Sequence, residues 1–317
     1  MTGLVPSTAD PAAERPRRVE RRGRTGARAP AQPKAWVAYV WIAPAVVVFA
    51  LFALAPLLHT IWLSFFDWDG VTAGTWTGLG NYSAIVSDPQ LRATLLHPLV
   101  LIVFYSLLPT GLALMFTGMV VRTRVRGLTV YRALLFMPQI IATVAIATAF
   151  RGILDEDGPV NAVLRAIGLG SFARAWLGDF TWALYAVGSI GTWIAFGFCF
   201  VLFLAGAQKI PRDLYDAARV DGAPAWREFL AVTVPGLRRE LVFAVVLTLI
   251  AALRTFDITY VLTQGGPGLS TSVPSYEVYR QAFQEGAVGR AAAFGVALTV
   301  IIMLIVIPIS RLGRDER

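Results

Sequence analysis

The most visible shortage in this chain is of charge. Only 15% of its 317 residues are Asp, Glu, Lys or Arg, whereas 56% are hydrophobic. A soluble protein usually carries about 25% charged residues. The composition therefore excludes an ordinary soluble domain and favours a chain embedded in a membrane.

Cysteine and histidine are almost absent. The one cysteine, Cys199, excludes a disulfide within the chain. His59 and His97 each lie alone in or beside an apolar run, without a partner at metal-ligand spacing, so we expect no metal site. The sequence also lacks a Gly-x-x-x-x-Gly-Lys-Ser/Thr phosphate loop and any nucleophile–base cluster. We therefore expect neither a nucleotide site nor a membrane-embedded enzyme.

Long apolar runs take the place of charge. Each is close to the length of about 20 residues that crosses a bilayer. The predicted spans are residues 36–66, 93–121, 133–151, 180–205, 241–262 and 291–310. This pattern predicts an all-α integral membrane protein with one six-helix domain over 36–310, flanked by tails at 1–35 and 311–317.

The basic residues lie mostly on one side of these spans. Residues 1–35, 122–132, 206–240 and 311–317 together hold 21 of the 28 Lys and Arg side chains. By the positive-inside rule, both termini face the cytoplasm across the plasma membrane. The net charge of +8 is thus explained by orientation and by contact with anionic lipid, not by nucleic acid. The basic segment 1–35 is expected to be disordered, and the apolar run after it is expected to remain as a span.

A polar stretch at residues 208–235, called the coupling loop below, interrupts the apolar runs. It predicts two short helices joined at Asp221-Gly222. Pro211 and Pro224 are each suited to the start of a helix, and Gly222 is suited to a left-handed C-terminal cap. Trp226 belongs to an apolar stripe on the second helix.

The coupling loop resembles the EAA loop of ABC-importer permeases. Asp216-Ala217-Ala218 stands six residues before Gly222, and Val232-Thr-Val-Pro235 follows at the matching distance. Asp replaces the usual Glu. The resemblance implies that the loop docks on a cytosolic ATPase, which would bind ATP and Mg²⁺, while this chain binds no cofactor. The residues implied in coupling are Tyr215, Asp216, Ala217, Ala218, Asp221, Gly222 and Pro235. Tyr215 and the two alanines are expected to pack in the ATPase cleft, and Trp226, Phe229 and Pro235 to anchor the loop to the spans.

Further segments are similar to the sugar-type, maltose-permease-like branch of this family. They are Gly78-Leu-Gly-Asn-Tyr82, Phe136-Met-Pro-Gln-Ile-Ile141, Gly158-Pro-Val-Asn-Ala-Val-Leu164 and Thr263-Gln-Gly-Gly-Pro267. The resemblance implies a heterodimer with a second homologous permease, two ATPase subunits and an extracytoplasmic substrate-binding protein. It also implies alternating access and a sugar, oligosaccharide or related polyol as substrate.

Candidate substrate residues follow from side-chain chemistry, since sugars are bound by hydrogen bonds and by stacking on aromatic rings. They are Trp193, Phe196, Arg254, Phe256, Asp257 and Tyr260. Arg254 and Asp257 are three residues apart in a predicted continuous span, where charge usually marks a functional cavity. A self-compensated structural pair explains them equally well, and any one of the aromatic rings is more often packed or lipid-facing than substrate-binding.

The rival hypothesis is an ion-coupled secondary transporter. Such a protein needs an ion site at mid-membrane, often with paired acids, unwound helices and inverted repeats. The sequence offers one intramembrane acid and no evident repeat, so the ATP-driven importer is favoured.

Overall fold

The computed structural model describes residues 35–123 and 125–312. The predicted tails therefore lie almost wholly outside the described residues. The described chain divides after Ala53 into two compact units. The first contains helix α1 (Ala35–Phe49) and most of a π-helical turn, Ala50–Leu54. The second begins with α2 (Ala55–Leu63) and holds everything that follows.

Within residues 35–123 and 125–312, five helical segments are long and apolar enough to cross a membrane. They are the first span (Tyr39–Leu63), the second (Pro89–Arg122), the fourth (Ala183–Ala207), the fifth (Arg238–Leu262) and the sixth (Val288–Arg311). A bent pair, Leu128–Ile140 with Thr143–Ile153, makes a sixth span if it is counted as one. The prediction of an all-α membrane fold is confirmed.

The third span, predicted over 133–151, is bent. Two helices, α6 (Leu128–Ile140) and α7 (Thr143–Ile153), meet at 97°. The extended residues Ile141 and Ala142 form the break, whereas Pro138 remains inside α6. The two halves pack on different partners, because α6 lies on the fourth span and α7 lies on the C-terminal part of the fifth, residues 257–262.

The fifth span is also interrupted. Helix α13 (Arg238–Leu253) ends at Arg254, and α14 (Asp257–Leu262) begins after Phe256. Phe256 has φ −133° and ψ −58°, which is not helical. Arg254 and Asp257 are therefore not neighbours on one helix face, and that prediction was wrong.

The fourth span is the centre of the bundle. This helix, α9 (Ala183–Ala207), packs against the second, third and fifth spans. Its buried Phe200 and Phe203 join one hydrophobic cluster, and its buried Val187 and Ile190 join another. Glycines along it, including Gly188, Gly191, Gly197 and Gly206, allow close approach of neighbouring helices.

The remaining helices and strands complete the second and sixth spans and form the segments between the spans. The second span consists of α4 (Pro89–Ile102), a π-helical turn (Val103–Leu107) and α5 (Leu108–Arg122). At the end of the bundle opposite the coupling loop lie strands β1 (Phe66–Asp67) and β2 (Thr75–Trp76), α3 (Gly80–Ser87), α8 (Pro159–Ala166), a 3₁₀ turn (Gly170–Phe172), α15 (Pro274–Tyr279) and a π-helical turn (Arg280–Gln284). The coupling loop holds α10 (Arg212–Val220), α11 (Ala225–Glu228), a π-helical turn (Phe229–Thr233) and α12 (Val234–Gly236), and α16 (Val288–Leu312) ends the described chain.

Candidate functional site

The coupling loop folds as two short helices. Helix α10 begins after Pro211 and ends in a left-handed turn at Gly222, whose φ is +70°. The amide of Gly222 donates to the carbonyl of Arg219 (3.0 Å), and the amide of Ala223 donates to that of Ala218 (2.9 Å). This pair of hydrogen bonds is the Schellman arrangement, which satisfies carbonyls that the helix end leaves free. The predicted cap and the predicted junction at Asp221-Gly222 are confirmed.

Two of the three large aromatic residues of the loop, Tyr215 and Trp226, lie on the opposite faces from those predicted. Tyr215 is only 6% exposed, and its hydroxyl lies 3.3 Å from Oγ1 of Thr233 inside the loop. It braces the loop and does not offer its ring to another subunit, so the prediction of direct packing in an ATPase cleft is wrong for Tyr215. Trp226 is 58% exposed with Arg227 stacked 5.2 Å from its ring, so the prediction of an anchor is wrong for Trp226.

The exposed face of the loop carries the other candidate coupling residues. Asp216, Ala217, Asp221, Gly222 and Pro235 are exposed, and Ala218 is half-buried. A groove of about 430 Å³ runs beside them. Its lining residues are Ala218, Asp221, Ala223, Trp226, Arg227, Leu230 and Ala231. The loop therefore presents a partly apolar, concave surface for a partner.

Sequence reasoning missed Glu228. This side chain is 1% exposed and pairs with two arginines, one on α5 and one on α10. An acidic residue in a polar loop is ordinarily read as solvated. Its position two residues after Trp226 placed it on the opposite side of a helical turn from a ring predicted to be buried, so no signal in the sequence indicated an inward-facing acid.

A cavity of about 550 Å³ lies where both interrupted spans meet the fourth span. Its polar lining residues are Tyr105, Gln139, Thr143, Thr248, Arg254, Thr255 and Asp257. Thr143 follows the break in the third span, and Arg254 and Asp257 flank the break in the fifth. Irregular backbone inside a membrane is tolerated where it is buried in protein or lines a watery cavity. The two breaks therefore identify this space as a polar chamber.

The chamber contains three of the six candidate substrate residues. Arg254, Phe256 and Asp257 line it. Within the described residues, the side chains of Arg254 and Asp257 form no hydrogen bond or ion pair, so both charges are open to a ligand or to water. Phe256 stacks on Tyr260 at 5.3 Å with the ring planes 12° apart, and Tyr260 continues to Tyr279 at 5.3 Å.

Trp193 and Phe196, the two candidates on the fourth span, lie outside the chamber. Trp193 packs on Phe150 at 5.4 Å, and Phe196 packs between Phe116 and Phe200. Both line a separate small pocket of about 110 Å³. The face of the fourth span that lines the chamber instead carries Gly191, Ile194, Ala195 and Phe198.

Two buried asparagines organise the end of the bundle opposite the coupling loop. Nδ2 of Asn81 donates to the carbonyls of Ser64 (3.0 Å) and Phe66 (2.8 Å). Nδ2 of Asn161 donates to the carbonyls of Asp155, Glu156 and Arg174. Both asparagines lie in segments that carry the resemblance to the sugar-type branch. In these two segments, the asparagines therefore serve to fold the loops.

A carboxylate organises the turn that leads into the fourth span. Oδ1 of Asp179 accepts hydrogen bonds from the amides of Thr181 (2.8 Å) and Trp182 (3.0 Å). These bonds stabilise the ionised form and lower the pKa of Asp179 below its usual value. The carboxylate thus holds the turn at residues 179–182 in place ahead of the helix.

Comparison with known proteins identifies the class. The model of the family described as binding-protein-dependent transport system inner membrane component matches residues 35–314, and the chain belongs to this family. It is 33% identical over 289 residues to a probable ABC transporter permease protein, YurN, of Bacillus subtilis, covering 88% of this chain and 98% of YurN. It is 30% identical over 248 residues to the lactose transport system permease protein LacF of Rhizobium radiobacter, covering 78% and 83% of the two chains.

A solved structure supports the fold. The chain matches a bacterial alginate ABC transporter, crystallised with an alginate pentasaccharide-bound periplasmic protein, at a TM-score of 0.73 and 22% identity. The match covers 88% of this chain and 94% of the other. The chain is therefore a permease component of a binding-protein-dependent importer, which favours that hypothesis over the ion-coupled secondary transporter.

Proposed function

We propose that this permease forms one half of the translocation pathway for a sugar or oligosaccharide. The polar chamber carries the proposal, because it combines hydrogen-bonding groups with the ring of Phe256, which stacks on Tyr260 outside the lining. Pyranose rings are bound by this combination of polar groups and aromatic faces. The similarity to LacF, whose name gives lactose as its cargo, supports the same substrate class.

The proposal includes the partners that the resemblance implies. A second permease would complete the pathway, two cytosolic ATPase subunits would bind ATP and Mg²⁺, and an extracytoplasmic binding protein would deliver the sugar. ATP binding would move the coupling loop and open the chamber outward, and hydrolysis would return it inward. Asp216, Ala217 and Asp221 would contact the ATPase, with Ala218 at the edge of the groove.

Uptake measurements test the substrate class. The full complex, reconstituted in vesicles with its binding protein, should accumulate a labelled disaccharide from a panel that begins with lactose. Uptake should require ATP on the side of the coupling loop and should survive the collapse of ion gradients. Gradient-driven uptake without ATP would refute the importer, and uptake of amino acids or metals alone would refute the sugar.

Orientation has its own test. Because Cys199 is the only cysteine, a Cys199→Ala background permits single-site labelling. An impermeant thiol reagent should label Ala217→Cys from the cytoplasmic side and Phe172→Cys from the outer side. The reverse pattern would refute cytoplasmic termini and a cytoplasmic coupling loop.

Coupling is tested at Gly222. Gly222→Asp should abolish ATP-driven uptake while membrane insertion stays intact. Full coupling in the variant would count against the role of the loop.

A further inference from the structure

The buried carboxylate of Glu228 joins three separate elements. Oε1 lies 3.2 Å from Nε of Arg122 at the end of α5, and Nη2 of Arg122 donates to Oε2 at 3.3 Å. Nε of Arg219 on α10 donates to Oε2 at 3.4 Å. Glu228 itself ends α11. These three residues are called the Glu228 anchor below.

Burial makes this anchor an obligatory connection. Glu228 is 1% exposed, whereas the side chains of Arg122 and Arg219 are 35% and 50% exposed. An acid removed from water is tolerated only when it is paired, and removing one partner leaves a costly unpaired charge. Moving the loop away from α5 would leave the buried carboxylate unpaired. This costs more free energy than breaking an exposed ion pair.

A second contact joins the coupling loop to α5. Phe229 lies against Gly118 so closely that a Cβ at Gly118 would come within 2.5 Å of Cδ2 of Phe229. Gly118 and Arg122 are four residues apart on α5 and so share one face. The coupling loop is thus attached to one face of the second span by an aromatic contact and by a buried ion pair.

The second span leads directly from this attachment to the chamber. It runs without a sharp bend from Pro89 to Arg122, and Tyr105 on it lines the chamber. Arg122 and Tyr105 are separated by roughly 25 Å along the axis at 1.5 Å per residue. The third and fifth spans, by contrast, are both interrupted beside the chamber.

We propose that Glu228 is a positioning residue that makes the coupling loop and the second span move as one body. Displacement of the loop by an ATPase is then carried to the chamber by the second span. The inference rests on the proposed coupling role of the loop, and it assigns the path by which that coupling reaches the substrate site.

A distance measurement tests the proposal independently of the sugar. Spin labels are placed at Ala225→Cys on the loop and Met119→Cys on the second span, in the Cys199→Ala background of the full complex. With the native anchor, their separation should stay constant through the ATP cycle. With Glu228→Gln, the distribution should shift or broaden when ATP is added.

The number of sugar molecules taken up per ATP hydrolysed tests the anchor in transport. Glu228→Gln and Arg122→Gln should each lower sugar taken up per ATP hydrolysed at least tenfold, whereas Arg122→Lys should recover part of the loss. Arg122→Gln also covers the case in which Glu228→Gln fails to assemble, because the Arg122 side chain is partly exposed. Glu240→Gln is the matched control, since Glu240 pairs with Lys209 at 3.4 Å away from the second span, and it should leave the ratio unchanged.

Two outcomes overturn the anchor. One is a constant label separation in both Glu228→Gln and Arg122→Gln, and the other is an unchanged ratio of uptake to hydrolysis in both. If the native complex moves no sugar while the labels respond as expected, the substrate class fails and the anchor stands. If Gly222→Asp leaves coupling intact, the loop's role fails.

Discussion

Gly197 on the fourth span lies directly against the backbone of Leu135 on α6. A Cβ at Gly197 would come within 1.7 Å of the carbonyl oxygen of Leu135 and 2.4 Å of its carbonyl carbon. Because the obstacle is backbone and not the end of a flexible side chain, the two helices cannot relax around it locally. This contact fixes α6, the first half of the bent third span, against the fourth span.

Gly197→Ala should therefore be strongly destabilising. Overpacking a tight contact costs about 1–3 kcal/mol, and a backbone clash belongs at or above the upper end. The expected result is a large fall in the melting temperature of the purified protein in detergent. Gly111→Ala is the control, since nothing lies within 4 Å of a Cβ there. Equal melting temperatures for the two variants would contradict the packing argument.

Gly222 supports a different prediction, because its constraint is conformational. A Cβ there would meet nothing within 4 Å, and φ is +70°. Gly222→Ala should cost about 1–2 kcal/mol, the strain of a left-handed residue with a side chain. Gly222→Asn should cost less, since Asn enters that region more readily. Protection of the Ala223 amide against hydrogen exchange measures the loss, and equal protection in all three proteins would refute the cap.

The coupling loop shows which features a sequence can predict. Its helix boundaries were predictable because Pro211, Gly222 and Pro224 act locally, through fixed or permitted backbone angles. The orientation of Tyr215 and Trp226 was not predictable. Periodicity divides a short helix into faces, but tertiary packing decides which face is buried.

In the chamber, the residue types were predictable and the backbone breaks were not. Its aromatic residue Phe256 and its charges Arg254 and Asp257 were predictable from residue type alone. The breaks that create the chamber were not, because Ile141-Ala142 and Arg254–Phe256 contain neither Gly nor Pro. These interruptions depend on packing of each half-helix against a different neighbour, which no local pattern records.

Two aromatic residues, one inside the chamber and one outside it, separate binding from packing. Phe256→Ala should raise KM for uptake of the transported disaccharide about fivefold, which corresponds to the loss of about 1 kcal/mol of stacking. Phe196→Ala should lower the melting temperature and leave KM unchanged, because that ring packs on Phe116 and Phe200. Uptake kinetics in vesicles decide the matter. A larger change in KM for Phe196→Ala would move the binding site away from the chamber.

The asparagine clamps at the end opposite the coupling loop give a paired prediction. Asn161 is fully buried, and besides its three donated bonds its Oδ1 accepts from Nε1 of Trp176 at 2.9 Å. Asn161→Ala leaves several buried polar groups without partners, at about 1–3 kcal/mol for each group that stays dry. We expect residues 155–176 to lose hydrogen-exchange protection while residues 64–81 keep theirs. Asn81→Ala should give the reverse pattern, because its bonds go to Ser64 and Phe66. If either variant lowered hydrogen-exchange protection in both segments together, the two loops would form one cooperative unit. That result would refute the idea that each asparagine holds its own loop.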